Sequence, residues 1–472
     1  MGAMSTPPHS DSGSASASVV LPTRDDPLVR ASSEGIGGPA GSRVAPLAGW
    51  WTPLRVCIVL VILASALGYV ADGYCRGQGW PRNTTVEYAH ACYSDLPHLF
   101  LERGLSTGAI PYLSSDPAAQ SFEYPVLSGA IAWLTALVSG GNQRVFFDVN
   151  VLVLAALAIV TVWATAQLAG RRPWDAAIVA VAPTLILAAT INWDLLAMAL
   201  TAVAMLAWAR RSPILAGILL GLGIAAKLYP LFVLGPLLVL CVRADRMRAF
   251  LQTLGATVVA WAAVNLPVAA FGYEGWSAFY RFNVDRAAEF GSPWYALEQL
   301  GVGLPDGVLN WLTTLLFVAA CGAIAWLGLT AQRRPRLPQL VFLVVAAFLV
   351  TNKVYSPQYA LWLLPLAALA RPRWRDIAIW QGCEVVYFFA IWLFLNGFYD
   401  ADRGLRKEWY ALAVFIHIAG TAYLAWQVIR DVREPWRDPV RADGIDDDPA
   451  GGVLDGAADR GVRPVEREPV PA

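Results

Sequence analysis

The sequence predicts an all-α, polytopic membrane protein, a bundle of about twelve transmembrane helices, and three observations carry that expectation. Hydrophobic residues make up 57% of the 472 and charged residues only 15%, and the mean hydropathy is +0.49, far from the balance of a water-soluble domain. Long apolar runs recur along the chain, near the roughly 20 residues that a spanning helix needs. Short connections between those runs hold clustered arginines, which mark the cytoplasmic side. The 20 tryptophans agree with this, because an indole ring is apolar at one end and polar at the other and favours the lipid–water boundary. Basic and acidic residues are balanced at 35 each, so no positive excess draws in nucleic acid.

Taken in order, residues 1–50 are rich in Ser, Pro, Gly and Ala and bury too little apolar surface to offset ordering entropy, so a disordered cytoplasmic tail is expected. The first apolar run starts near Leu54, too deep for a cleaved signal peptide, and is read as an uncleaved anchor. The runs lie at about 54–71, 124–139, 146–169, 174–191, 193–209, 213–227, 228–242, 249–271, 308–331, 337–352, 358–370, 376–397 and 409–429. Arginine clusters at 243–248, 333–336, 371–375 and 430–437 fix the inner side, which leaves 272–307 and 352–358 outside, and a cytoplasmic N-terminal tail puts 72–122 outside too. An odd number of runs would put the chain ends on opposite sides, whereas the last arginine cluster and a cytoplasmic tail require the same side. One run must therefore be a half-helix or merge with a neighbour, and the interrupted stretches around Asn192 and Lys227 are the expected place. The transmembrane unit is thus 51–430. A second disordered cytoplasmic tail is expected over 431–472, with the Asp446, Asp447, Asp448 run simply solvated.

The first external loop, 72–122, is long for a helical membrane protein, and loops of that length usually carry function. Leu96, Leu99 and Phe100 recur at helical spacing with Glu102 and Arg103 on another face, so Tyr93 to Ser106 reads as an amphipathic helix lying on the bilayer. Asp95 either caps that helix, with Pro97 in its first turn, or stands at the mouth of the bundle as a catalytic carboxylate; the roles do not exclude each other. Glu123 and Tyr124 open the next helix, and Glu123 is a surface carboxylate or a substrate contact. Asn192 and Asp194 interrupt one apolar stretch, and Lys227 and Tyr229 another, where an ionisable group costs roughly 2.5–3.5 kcal/mol at mid-membrane; the plain alternative is an interfacial position with Lys227 snorkelling. Lys353, Tyr355 and Gln358 form a polar turn between two runs. Arg281 and Arg286 stand among aromatics in 272–307, a pairing that suits a sugar phosphate, since rings pack on sugar faces and guanidinium forks phosphate. Cys75 and Cys92 share the first external loop and are the one candidate disulfide. The six cysteines show no metal-ligand spacing.

The stretches Tyr93-Ser-Asp-Leu-Pro, Glu123-Tyr-Pro-Val-Leu, Asn192-Trp-Asp-Leu-Leu, Ala226-Lys-Leu-Tyr-Pro and Asn352-Lys-Val-Tyr-Ser-Pro-Gln-Tyr resemble glycosyltransferase family 87 of the GT-C superfamily, over about 54–430. The resemblance implies a GT-C-like bundle and a plasma-membrane enzyme with its site on the extracytoplasmic side. It implies transfer of a sugar, mannose or arabinofuranose, from a polyprenyl-phosphate donor to a cell-envelope glycan or glycolipid. It also implies that an acidic residue of the first external loop is the general base, a position Asp95 fits. Glu123, Tyr124, Asn192, Asp194, Lys227, Tyr229, Arg281, Arg286, Lys353, Tyr355 and Gln358 are then the donor- and substrate-binding candidates. No cofactor is required by the residues, although the wider superfamily admits a divalent metal. The competing reading is a transporter or lipid flippase, which also buries polar groups and interrupts helices; transporters often show repeated halves, and none is seen here.

Overall fold

A computed structural model describes residues 19–37, 49–81, 84–114 and 122–460, and among these all regular structure is helical. Six helices are long and apolar enough to cross a membrane: α1 (Pro53–Ala71), α3 (Gln143–Leu168), α7 (Met247–Phe271), α8 (Asp306–Thr330), α11 (Trp374–Asn396) and α12 (Lys407–Arg433). Between them stand shorter apolar helices: α2 (Val126–Ser139), α4 (Asp194–Ala209), α5 (Pro213–Ala226), α6 (Leu234–Ala244), α9 (Leu337–Thr351) and α10 (Ala360–Ala370). The chain is a multi-pass membrane protein.

Not every apolar run is a single helix: that at 228–242 opens as a 3-10 turn over Tyr229–Val233 before α6. The run at 174–191 breaks into a 3-10 turn and the short helices Ala176–Ala180 and Pro183–Ala188, because Pro183 lacks the N–H a continuous ladder needs and starts a new helix instead. Lys227 likewise ends α5 in extended geometry. Elsewhere helices approach closely. Gly217 and Gly221 lie four apart on α5, where an added Cβ would fall 2.3 Å from Thr253 O and 2.5 Å from Thr257 O of α7. Only hydrogen fits between these backbones, as in small-xxx-small membrane contacts.

The two flanking segments are more ordered than composition predicts over the part described. Residues Pro22–Asp25 and Pro27–Gly37 are helical, and the segment after α12 folds back over the same end of the bundle. The physical reason is ion pairing, which a count of apolar residues does not register. Asp25 pairs with Arg172 at 2.6 Å, and Asp26 accepts from Trp374 N at 2.9 Å. Asp438 pairs with Arg336 at 2.7 Å and Asp447 with Arg333 at 2.8 Å. Asp459 pairs with Arg243, and Asp448 accepts from Leu337 N at 2.8 Å. The acidic run is therefore not a solvated end: it clasps the arginine clusters. The parts of the expected tails at 1–18, 38–48 and 461–472 lie outside the described residues.

Asp438 and Arg336 are 0% and 2% exposed, and Arg336 also donates to Leu369 O and Ala370 O. Burial pushes the Asp438 carboxyl up, but the Arg336 guanidinium outweighs it and leaves the group below the usual carboxylate range. Asp438→Ala strands a buried guanidinium and is expected to lower stability by about 3–5 kcal/mol. Chemical unfolding of the purified protein checks it, and a loss below about 1 kcal/mol would show the clasp to be idle. Because the folded value is depressed, this contribution is present above the unfolded carboxylate pKa and fades as pH falls through the folded one.

The arginine-rich end and the opposite end are chemically distinct. α9 starts at the Arg336 cap and runs to Thr351, while α4 starts at Asp194 and ends where Trp208 Nε1 donates to Gly451 O. Asn192, Lys227 and the 352–359 turn thus gather at the end away from the arginines.

Candidate active site

At that end lies a cavity of about 910 Å³. Its floor is set by the short helix Asp95–Glu102, which buries Leu96, Pro97, Leu99 and Phe100 against the bundle. Capping falls to Ser94, whose side chain accepts from Leu96 N at 3.2 Å, so the capping role expected of Asp95 passes to its neighbour. The helix is also shorter than the expected span of Tyr93 to Ser106. Asp95 N donates to Ile191 O at 2.7 Å, and that bond turns the carboxylate into the cavity. Its Oδ1 accepts from Tyr93 OH at 2.8 Å and its Oδ2 from Tyr124 OH at 2.7 Å. Burial pushes the Asp95 carboxyl up, the two phenol bonds and nearby Lys227 pull it down, and the net effect is above the usual carboxylate value.

Lys227 lines the same cavity, held by Asp194 at 2.8 Å. Asp194 itself is 1% exposed and accepts from Trp362 Nε1 at 3.1 Å. The ammonium sits 5.0 Å from the ring of Tyr124 and 5.3 Å from that of Tyr359, within cation–π range of both. Asn192 joins the two sides by donating to Tyr124 OH at 3.2 Å and accepting from Asp194 N at 2.9 Å. Tyr229 stacks on Trp362 at 4.7 Å. Glu123 also lines the cavity and is bidentate with Arg103, at 2.5 and 2.7 Å. Arg286 lines the opposite wall beside Glu289, and its Nε is buried with no hydrogen-bond partner among the described residues. Gln358 completes that wall.

Four expected contacts do not line the cavity: Asp194 stands behind Lys227, and three others lie elsewhere. Lys353 does not line the cavity; its Nζ donates to the carbonyls of Asn283, Val284 and Arg286, at 3.3, 3.2 and 2.5 Å. It closes the C-terminal end of helix Tyr273–Asp285, where orphan carbonyls attract a cation, and so fixes the backbone of Arg286. Arg281 is exposed on that helix and bonds Glu274 O. Tyr355 is fully buried behind the site, bonded to Glu384 Oε1 at 3.2 Å and Thr421 at 3.0 Å. Glu384 also contacts His417, whose Nε2 reaches Gly291 O at 3.0 Å. The 286–292 and 353–355 segments pair through Glu289 N to Lys353 O and Tyr355 N to Phe290 O. Gly291 makes this possible: its φ is +78° and a Cβ would lie 1.9 Å from Tyr355 O.

Sequence reasoning did not place Glu87, His98, Tyr88, Tyr93, Trp392 and Tyr399 at the site, all of which line the cavity. Glu384 and His417 did leave a signal, since both interrupt apolar runs as Lys227 does. Cys75 and Cys92 are joined as a disulfide, tying helix Gly73–Gln78 to the turn before Asp95. Among the described residues no three His, Cys, Asp or Glu side chains come together as a metal site.

Residues 122–351 match the profile of glycosyltransferase family 87. No curated protein sequence matches the chain. Among solved structures it is similar to a crystal structure of ArnT from Cupriavidus metallidurans bound to undecaprenyl phosphate, with 15% identity, 80% of this chain and 78% of that chain covered, and a TM-score of 0.42. The family match spans Glu123, Tyr124, Asn192, Lys227, Arg286 and the 337–351 helix that leads to the cavity, while Asp95 lies outside it, 27 residues before its start. Over residues 122–351, just under half of its length, this multi-pass membrane protein is similar to glycosyltransferase family 87.

Proposed function

We propose that the chain transfers a sugar, mannose or arabinofuranose, from a polyprenyl-phosphate donor to a cell-envelope glycan or glycolipid on the extracytoplasmic face, with inversion. The observation that carries this is the meeting, around one cavity, of the Asp95 carboxylate, the Lys227 ammonium and the Arg286 guanidinium. In the reaction the acceptor oxygen attacks the anomeric carbon while its proton passes to Asp95. The bond from that carbon to the phosphate oxygen breaks, and its electron pair leaves with the polyprenyl phosphate. Negative charge grows on the departing phosphate, so a fixed cation stabilises the transition state more than the ground state.

A lipid-borne donor is supported by the lip of the cavity. Leu228, Phe282 and Val284 line it and are nonetheless 41, 43 and 65% exposed. Large apolar groups at an opening suit a prenyl chain arriving through the bilayer. The arginine-rich end supports the extracytoplasmic assignment, since clustered basic loops stay inside and the cavity is at the other end.

Purified protein in lipid nanodiscs, given a panel of polyprenyl-phosphate sugars and short glycan acceptors, is expected to form one glycoside with the donor's anomeric configuration inverted. Retained configuration would reject the single displacement. Transfer from a water-soluble nucleotide sugar alone would reject the lipid donor.

A further inference from the structure

One wall of the cavity takes no part in the scheme above. Tyr88, Tyr93, Trp392 and Tyr399 all line it; the three tyrosine rings are near-parallel, and Trp392 is tilted by 32° against Tyr93. Tyr88 lies 5.6 Å from Tyr399 at 13° and 6.0 Å from Tyr93 at 14°, while Trp392 packs on Tyr93 at 5.1 Å. The rings come from separate stretches: the short helix Val86–Ala89, the turn before Asp95, the end of α11 and the turn after it. Tyr399 is 45% exposed and so stands at the mouth. A polar edge runs beside the rings, where His98 Nε2 lies 2.8 Å from both carboxylate oxygens of Glu87.

The chemistry of this wall differs from that around Lys227 and Arg286. Flat apolar rings next to a carboxylate and an imidazole match a sugar ring, whose C–H face packs on π-systems and whose hydroxyls both donate and accept. A phosphate would meet Glu87 and Glu102 there, and an alkyl chain would leave the Glu87–His98 pair unused. The Asp95 carboxylate joins the two halves: Oδ1 is bonded by Tyr93 of the wall, and Oδ2 by Tyr124, whose ring faces Lys227.

We propose that Tyr88, Tyr93, Trp392 and Tyr399 form the acceptor subsite, a stacking platform for a neutral carbohydrate ring that presents its hydroxyl to Asp95 on the Tyr93 side. This rests on the glycosyltransferase reading and names the acceptor as a glycan rather than a phospholipid or a peptide.

The test uses the full chain in nanodiscs and saturation-transfer NMR, which reads binding whether or not transfer occurs. The probes are methyl α-mannopyranoside and methyl α-arabinofuranoside, with N-acetylserine amide as the non-sugar control. Saturation is expected on the C–H protons of at least one glycoside and not on the control. Tyr399→Ala, at an exposed position, is expected to weaken that binding and to raise acceptor KM roughly tenfold with donor KM unchanged. Tyr399→Phe keeps the ring and is expected to restore most of the glycoside binding that Tyr399→Ala loses. Trp392→Ala should repeat the effect, with far-UV circular dichroism reporting its fold. No glycoside saturation, or saturation and acceptor KM untouched in Tyr399→Ala, overturns the proposal. Glycoside binding that persists in a protein inactive with every donor would sink the transfer reading and leave the subsite standing.

Discussion

Asp95→Asn is expected to lower the transfer rate by about 10² to 10⁴, the range typical of a lost general base, with the fold and donor binding retained. The substitution is close to isosteric, and the amide oxygen can still accept one of the two phenol bonds from Tyr93 and Tyr124. What it removes is the ability to take the acceptor's proton. Single-turnover kinetics with bound donor separate the effects: the chemical step slows while donor affinity stays. Full activity would take Asp95 out of the mechanism. A pH profile gives an independent check. The ionised carboxylate is the competent form, and burial holds its folded pKa above the unperturbed value of about 3.9. The rate should therefore fall as pH drops, with the acid limb above that value. Tyr93→Phe removes one bond to the charged form and should move the limb further up.

Lys227→Met is expected to abolish transfer and also to destabilise the protein by about 3–5 kcal/mol, because it leaves Asp194 as a buried carboxylate without its counter-ion. The pair Lys227 and Asp194 lies at the junction of three broken stretches; Trp362 Nε1 donates to the carboxylate, and Asn192 Oδ1 accepts from the Asp194 backbone N–H. The two effects separate in the double variant. Lys227→Met with Asp194→Asn no longer buries an unpaired charge, so most of the stability should return, yet the cavity still lacks its cation and transfer should stay lost. Thermal unfolding reads the first arm and product formation the second. If the double variant recovers transfer along with stability, Lys227 acts only as the partner of Asp194, and Arg286 must neutralise the leaving phosphate.

Much of the site was legible because membranes make polar residues expensive. Asn192, Asp194, Lys227 and Tyr229 stood out against apolar runs, and the structure places them together or one contact apart. Asp95 and Glu123 were readable from an unusually long loop. The misplaced residues fail for a shared reason. Lys353, Arg281 and Tyr355 sit in turns or helices whose polar side chains have several local uses, and spacing does not say which. Lys353 finds three carbonyls at a helix end, and Tyr355 finds Glu384 and Thr421 on distant helices. The aromatic wall was invisible because Tyr and Trp are abundant at every membrane boundary, so no single ring carried a signal.

By itself the sequence determined that this chain is a helical membrane protein, which end of the bundle is rich in arginine, and which loop and helix breaks hold costly polar groups. These follow from transfer energies summed along a local stretch, which composition fixes. Only the tertiary structure decided that Asp95 lies bonded between Tyr93 and Tyr124, that Lys353 braces Arg286 rather than facing the cavity, and that the acidic C-terminal segment clasps the arginine loops. Each is a pairing of groups far apart in the chain, and a pairing energy exists only once the helices have packed and chosen the partners.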